Sequence, residues 1–239
     1  MLKHKLEETR DILLSVKNKE TMRKPIILFS GGKDSIITAH VTGRYLGIRQ
    51  GFSENSVLPS QTNLEIRRIA KNMGLNIVWN NGFSTQAFQD DWYNQIPPKH
   101  WVANMTDKQR HWKSMPRFAK KHNISMMIFG RRLEENRIKA SSYYTTTYKK
   151  ALQVHPIMNW TLDNLLEYKA LHNLEFPSCY DDGSKHLLCI TSIGQNIWKE
   201  TGDIDKVFDY YMIDFPELVK AGANVDDRAK QYLIKNNIT

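Results

Sequence analysis

The residues best placed to do chemistry are Ser30-Gly31-Gly32-Lys33-Asp34-Ser35. They follow a short apolar run, Ile26-Ile27-Leu28-Phe29, and precede Ile36, Ile37, His40, Val41 and Tyr45 at helical spacing. Two adjacent glycines let the backbone take positive φ and approach a ligand closely. A helix starting there presents unpaired N–H groups and the positive end of its dipole to an anion. Ser30 and Ser35 add hydroxyl donors, and Lys33 adds a point charge. Together these residues make a cradle for a phosphate or pyrophosphate. Asp34 either helps position Mg²⁺, which bridges phosphate oxygens, or caps the helix. The loop is not a Walker A loop, because Ile27 and Asp34 stand where that pattern needs Gly and Ser or Thr.

A second cluster follows another apolar run, Met126-Met127-Ile128-Phe129. It comprises Gly130, Arg131, Arg132 and, further on, Arg137. Open α/β sheets bind ligands at the carboxyl ends of their strands, which is where these arginines are predicted to lie. They would clamp phosphates or an anionic second substrate; the alternative is a solvated charged turn.

The elements that position these residues read as an alternation of strands and helices. An amphipathic helix over 1–23 ends before Pro25. Strands are predicted at 26–29, 48–53, 76–79 and 126–130, with helices after Asp34, over 62–73 and over 108–122. Such alternation implies an α/β fold with a doubly wound, mostly parallel sheet. Residues 82–107, with Pro97-Pro98 and four aromatics, read as a lid or an insertion. Thereafter the signals turn helical: Thr161 is a good N-cap for 162–171, and short helices are expected over 191–200, 203–212 and 226–236. The expected division is therefore an N-terminal helix (1–23), a nucleotide-binding α/β domain (24–160) and a helical C-terminal region (161–239).

Composition narrows the function classes. The chain has 239 residues, 41% hydrophobic and 25% charged, in the ordinary range for a globular protein. No apolar run approaches the ~20 residues of a membrane span, and the charged start resembles no signal peptide, so a cytoplasmic protein without a membrane partner is expected. A formal net charge of +9 favours anionic partners, a nucleotide or a nucleic acid. Cys179 and Cys189 are the only cysteines and form no CxxC pair, so neither zinc nor an iron–sulfur cluster is expected.

Taken with its context, the Ser30–Ser35 loop resembles the PP-loop of the adenine nucleotide α-hydrolase-like superfamily, the ATP pyrophosphatases. Three further landmarks resemble the 3′-phosphoadenylylsulfate (PAPS) reductase-like branch. One is Gly130-Arg131-Arg132 with its continuation to Arg137. The others are Pro156-Ile157-Met158-Asn159-Trp160-Thr161 and Pro177-Ser178-Cys179-Tyr180-Asp181-Asp182-Gly183. The resemblance covers about residues 25–190. It implies a Rossmann-like PP-loop fold that binds ATP or a related adenine nucleotide with Mg²⁺. In it Lys33, Asp34, Arg131 and Arg137 are catalytic, and Ser30–Ser35 with Gly130, Arg131 and Arg132 hold the nucleotide phosphates. Trp160 reads as a packing residue, His155 as structural or surface-lying, and Tyr180 as either packing or functional.

The departures from that branch matter for the reaction. PAPS reductases carry a nucleophilic cysteine in a C-terminal Glu-Cys-Gly-Leu-His motif, whereas no cysteine follows Cys189 here. Cys189 lies among apolar neighbours and reads as an inert buried thiol. After the second strand, Phe52-Ser53-Glu54-Asn55 replaces the branch's Asp-Thr-Gly-like turn. Autonomous PAPS reduction is therefore not expected. What remains is the superfamily's general chemistry, adenylation of an acceptor with release of pyrophosphate. Two alternatives stay open: modification of a nucleic acid, with a partner protein supplying sulfur, and a nucleotide-binding sensor or scaffold without turnover.

Overall fold

The computed structural model describes residues 2–17, 24–54, 60–80, 118–135, 143–146, 151–181, 201–214 and 216–238. The predicted lid at 82–107, the helix at 191–200, Arg137, Gly183 and Cys189 lie outside the described residues.

Six strands form one sheet: β1 (Pro25–Leu28), β2 (Gln50–Glu54), β3 (Asn76–Asn80), β4 (Met126–Phe129), β5 (Tyr144–Thr146) and β6 (Leu152–Val154). Their order is β3-β2-β1-β4-β6-β5. Every pairing is parallel except β5 with β6, so the sheet is mostly parallel, as the alternation of elements implied. The chain winds outward from β1 in one direction to β3, then returns to place β4 on the other side of β1. The carboxyl ends of β1 and β4 therefore flank the point where the strand order reverses, which is where doubly wound sheets open a crevice.

Local sequence accounts for these strands. β1 and β4 lie at the centre of the sheet and consist of PIIL and MMIF. Ile27 and Ile128 are wholly buried and face one another in register, with Val154 beyond. Apolar residues on consecutive positions suit a strand covered on both faces. Pro25 sits at the first position of β1, where its missing N–H costs least.

Helix α1 (Leu2–Lys17) buries Leu2, Thr9, Ile12, Leu13 and Val16, and packs on α2 (Lys33–Leu46) and α4 (Leu162–Leu171). Thr9 lies in this interface. Its hydroxyl donates to the Pro156 carbonyl at 2.9 Å and accepts the Trp160 indole N–H at 2.9 Å. Glu8 on the same helix accepts from Tyr143 and, at 3.1 Å, from Asn159. α3 (Ser60–Asn72) connects β2 to β3. Thr161 caps α4 in a reciprocal box: its hydroxyl accepts the Asn164 amide at 3.3 Å, and Asn164 Oδ1 accepts the Thr161 amide at 3.1 Å.

Contacts divide the chain into two compact units. One is Met1–Glu54, Glu65–Asn80 and Lys113–Leu187; the other is Asn55–Leu64, Asn81–Trp112 and Leu188–Thr239. α1 and α4 thus group with the sheet, a division by contact rather than by element type. In the second unit α5 (Ile204–Asp214), α6 (Pro216–Gly222) and α7 (Asp227–Lys235) enclose a core of Val207, Phe208, Tyr211, Val219, Ala229, Tyr232 and Leu233. Tyr232 donates to Asp209 at 2.6 Å within it, and the Asp226 carboxylate caps α7 by accepting the Arg228 amide at 3.0 Å.

β5 and β6 had no counterpart among the predicted strands. Each is three residues long and mixes Thr, Tyr or Gln with its apolar positions, too short a window for a period of two to show.

Candidate functional site

The Ser30–Ser35 loop leaves β1 and enters α2 at the reversal of strand order. Gly31 has φ +77°, and a β-carbon there would meet Ile66 of α3 at 2.4 Å, so glycine is required on both counts. Gly32 departs from the expected positive φ. It is extended, at φ −74° and ψ 160°, and serves as the N-cap of α2. Its carbonyl accepts the first helical bond, from Ile36 N at 3.0 Å, so Asp34 lies inside the first turn and is not the cap. Ser35 Oγ donates to the Gly32 carbonyl at 2.9 Å, and Ser30 Oγ accepts the Gly32 amide at 3.3 Å. These bonds hold the turn in shape at the start of α2.

The second cluster meets the first. Gly130 passes so close to α2 that a β-carbon would lie 2.7 Å from the Asp34 carbonyl carbon and oxygen and 2.9 Å from Ser35 N. That approach carries Arg132 under the loop. Arg132 is fully buried; its Nε donates to Asp34 Oδ1 at 2.5 Å, and its Nη1 donates to Glu134 and to the Trp160 carbonyl, the latter at 3.4 Å. Lys33 is also fully buried, with Nζ 2.6 Å from Asp34 Oδ2 and 5.8 Å from the centre of the Tyr180 ring. Four charges therefore alternate along one line: Lys33, Asp34, Arg132, Glu134. Their signs cancel, which is what makes burial of two cations tolerable.

Arg131 turns the other way, with its guanidinium over the Phe129 ring at 4.5 Å. His155 packs on the same ring, 5.3 Å between centroids. It is 2% exposed, which settles it as a buried residue, and burial followed by the charge of Arg131 pushes its pKa down to about 4. It is therefore a neutral imidazole at pH 7.

The structure thus brings together Ser30, Gly31, Gly32, Lys33, Asp34, Ser35, Gly130 and Arg132, while Arg131, next to them in sequence, turns onto Phe129. Arg137 lies outside the described residues. Tyr180 joins the site: a 3-10 turn, Ser178–Tyr180, sets its buried ring against Lys33. Glu65 of α3 holds that turn, accepting the Ser178 amide at 2.9 Å and its hydroxyl at 2.8 Å. Trp160 packs in the α1 interface, as its residue type suggested. Sequence reading missed Glu134, which also accepts the Leu162 amide at the start of α4 at 2.8 Å. Its signal was the sign change in Arg131-Arg132-Leu133-Glu134-Glu135.

Asp34, which the sequence offered as a magnesium ligand, has both of its oxygens engaged by cations. Mg²⁺ wants oxygens in a near-octahedral set, and each oxygen of Asp34 already accepts a cationic N–H. Among the described residues no group of three or more His, Cys, Asp or Glu side chains converges to hold a metal. Nor is any described helix long and apolar enough to cross a membrane.

Comparison with known proteins identifies the family and the fold. Residues 24–200 match the model of the phosphoadenosine phosphosulfate reductase domain. The uncharacterized protein MJ0066 of Methanocaldococcus jannaschii is 21% identical over 234 residues, covering 96% of this chain and 46% of that protein. The chain thus spans about half the length of that relative. Three solved structures share the fold. The PAPS reductase of Candida auris aligns with a TM-score of 0.51 at 14% identity, over 76% of this chain and 90% of that one. Yeast FAD synthetase gives 0.55 at 14%, over 76% and 62%. The NH3-dependent NAD synthetase of Campylobacter jejuni gives 0.53 at 16%, over 99% and 96%. The match over residues 24–200, with the Ser30–Ser35 loop after β1, makes this chain a member of the phosphoadenosine phosphosulfate reductase domain family, within the PP-loop adenine nucleotide α-hydrolase-like superfamily.

Proposed function

We propose that this protein is an ATP-dependent adenylating enzyme. An oxygen of an anionic acceptor attacks the α-phosphorus of ATP, the bond from that phosphorus to the bridging oxygen breaks, and pyrophosphate leaves as AMP is transferred. The observation that carries this reading is the loop geometry: Gly31 in the left-handed region and the close approach of Gly130 set the start of α2 beside Lys33 at the reversal of strand order. The first N–H groups of α2 would take the leaving pyrophosphate, and Lys33 would neutralise the charge that builds on it.

Lys33 is paired with Asp34 and buried, so it must exchange a carboxylate for a phosphate when nucleotide enters. Arg132 stays as the floor of the site, since Glu134 and the Trp160 carbonyl hold it as well as Asp34. Arg131, at the carboxyl end of β4 and outside this charge line, is the residue to meet the acceptor, with Arg137 as a second candidate. Nucleotidyl chemistry is compatible with the fold, which yeast FAD synthetase shares.

The test is incubation with Mg²⁺ and α-labelled ATP, following AMP-containing product and pyrophosphate, with sulfate, small carboxylates and short RNA as acceptors. Lys33→Ala is the control; Asp34 keeps Arg132 as partner in it, so the site should stay folded. Pyrophosphate release that disappears in Lys33→Ala supports adenylation, and the stimulating acceptor names the substrate class. Tight nucleotide binding without turnover under any acceptor contradicts it and leaves a sensor.

A further inference from the structure

Asp34 is the acidic residue of the loop, and its position in the charge line suggests a role other than metal binding. Its two oxygens are the junction between the two clusters: Oδ2 accepts Lys33 at 2.6 Å and Oδ1 accepts Arg132 at 2.5 Å. Both partners have no exposed surface. For Asp34 to coordinate a divalent cation, one of its oxygens would have to abandon a buried cation. The incoming ion would then add two positive charges beside two already out of reach of water. Short, charge-assisted bonds to both oxygens resist that exchange unless another anion takes over one of the two cations.

We propose, resting on the nucleotide reading above, that Asp34 is a positioning residue: the fixed counter-ion that stores Lys33 and Arg132 at the base of the loop. A magnesium ion that accompanies ATP is carried by the nucleotide's phosphates and water, not by this carboxylate. When a polyphosphate enters, it displaces Asp34 from Lys33 while Asp34 keeps Arg132. Asp34 thereby competes with the ligand for Lys33. It offsets part of the positive charge of Lys33 and Arg132 and sets how much negative charge a ligand must bring to take Lys33.

The experiment is a thermodynamic cycle on the whole chain. Affinity for α,β-methylene ATP, which cannot turn over, is measured calorimetrically with and without Mg²⁺ in wild type and in Asp34→Asn. Removal of the competitor should raise metal-free affinity severalfold, and the factor by which Mg²⁺ improves binding should be unchanged within twofold. A carboxylate with a merely structural role would raise neither. If Asp34→Asn loses most of the Mg²⁺ factor, Asp34 is a metal ligand and the proposal falls. Should Asp34→Asn not fold, pulsed EPR of wild type with Mn²⁺, the same analogue and carboxyl-¹³C aspartate decides. Directly coordinated aspartate carbon would overturn the proposal, and its absence would support it. If wild type binds no nucleotide, the adenylation reading is what fails. Mn²⁺ titrated into the nucleotide-free protein then tests Asp34 alone: a micromolar site abolished by Asp34→Asn overturns the counter-ion role, and no such site supports it.

Discussion

Gly130→Ala is the substitution whose consequences follow most directly from the geometry. The added methyl would sit 2.7 Å from the carbonyl carbon and oxygen of Asp34 and 2.9 Å from Ser35 N, where ordinary contact begins at 3.4 Å. The obstructing atoms are backbone in the first turn of α2, so no rotamer change relieves them. The end of β4 and the start of α2 must separate by about half an ångström or more in a close-packed interior. Overpacking of that kind costs roughly 1–3 kcal/mol. In a chain of this size each kcal/mol lowers Tm by roughly 2–4 °C, so a fall of about 2–12 °C is expected by calorimetry. The same displacement moves the loop against its ligand. Since a misplacement of ~1 Å can cost ~100-fold, nucleotide affinity should drop by about tenfold. Gly43→Ala is the control. Its β-carbon would meet Arg49 Nη1 at 2.5 Å, but that atom ends an exposed, flexible side chain. Alanine inside a helix gains about 0.5–1 kcal/mol over glycine, so Gly43→Ala should melt within about 2 °C of wild type or above it. Equal melting of Gly130→Ala and wild type, or equal damage from both substitutions, would refute this account of the junction.

Thr9→Val removes a hydroxyl that serves both Trp160 and Pro156 in a fully buried position, leaving an indole N–H and a carbonyl unpaired. It should cost about 1–3 kcal/mol in urea denaturation, and a loss below ~0.5 kcal/mol would show that α1 does not depend on this bond. Arg132→Met strips Asp34 and Glu134 of a buried partner and should cost roughly 3–5 kcal/mol, measured the same way; a change under ~1 kcal/mol would mean the charge line is not the base of the loop. Stability should also fall in mild acid. His155 and His40 each have a folded pKa of about 4, burial being the main cause, with His172, Arg44 and Arg49 adding to it at His40. Their pKa in the unfolded chain is about 6.5, so the unfolded state binds more protons between those values. Stability is then complete above about pH 6.5 and is lost as pH falls toward 4. The loss is up to about 3 kcal/mol from His155, and less from half-exposed His40 once solvent screening is allowed for. A melting temperature flat from pH 7 to 4.5 would contradict both assignments.

The central strands and the loop were legible because their signals are local. Ile26–Phe29 and Met126–Phe129 are apolar without interruption, the first followed by Ser30-Gly31-Gly32 and the second by Gly130, and a helical rhythm follows the first. The edge pair β5–β6 was not legible, since three-residue strands held by neighbours carry no period of their own. Within the site, residue types identified Lys33, Asp34 and Arg132 but not their relation. That Asp34 spans two cations depends on Gly130 letting β4 approach α2, a contact between residues 96 positions apart by number (130 − 34). The extended Gly32 likewise follows from its place as N-cap, which composition alone could not separate from the left-handed Gly31. Glu65 escaped notice because its partner, Ser178, is brought to it by the fold rather than by spacing.

Amide resonances of Gly31, Gly32, Lys33, Asp34 and Ser35, followed by NMR as pyrophosphate is titrated into the wild-type protein, give the most immediate test of the phosphate cradle. Saturable shifts centred on these five amides, and lost in Lys33→Ala, are the expected result. Shifts that centre elsewhere, with the loop amides unmoved at saturation, would contradict a phosphate site at the start of α2 and the function built on it.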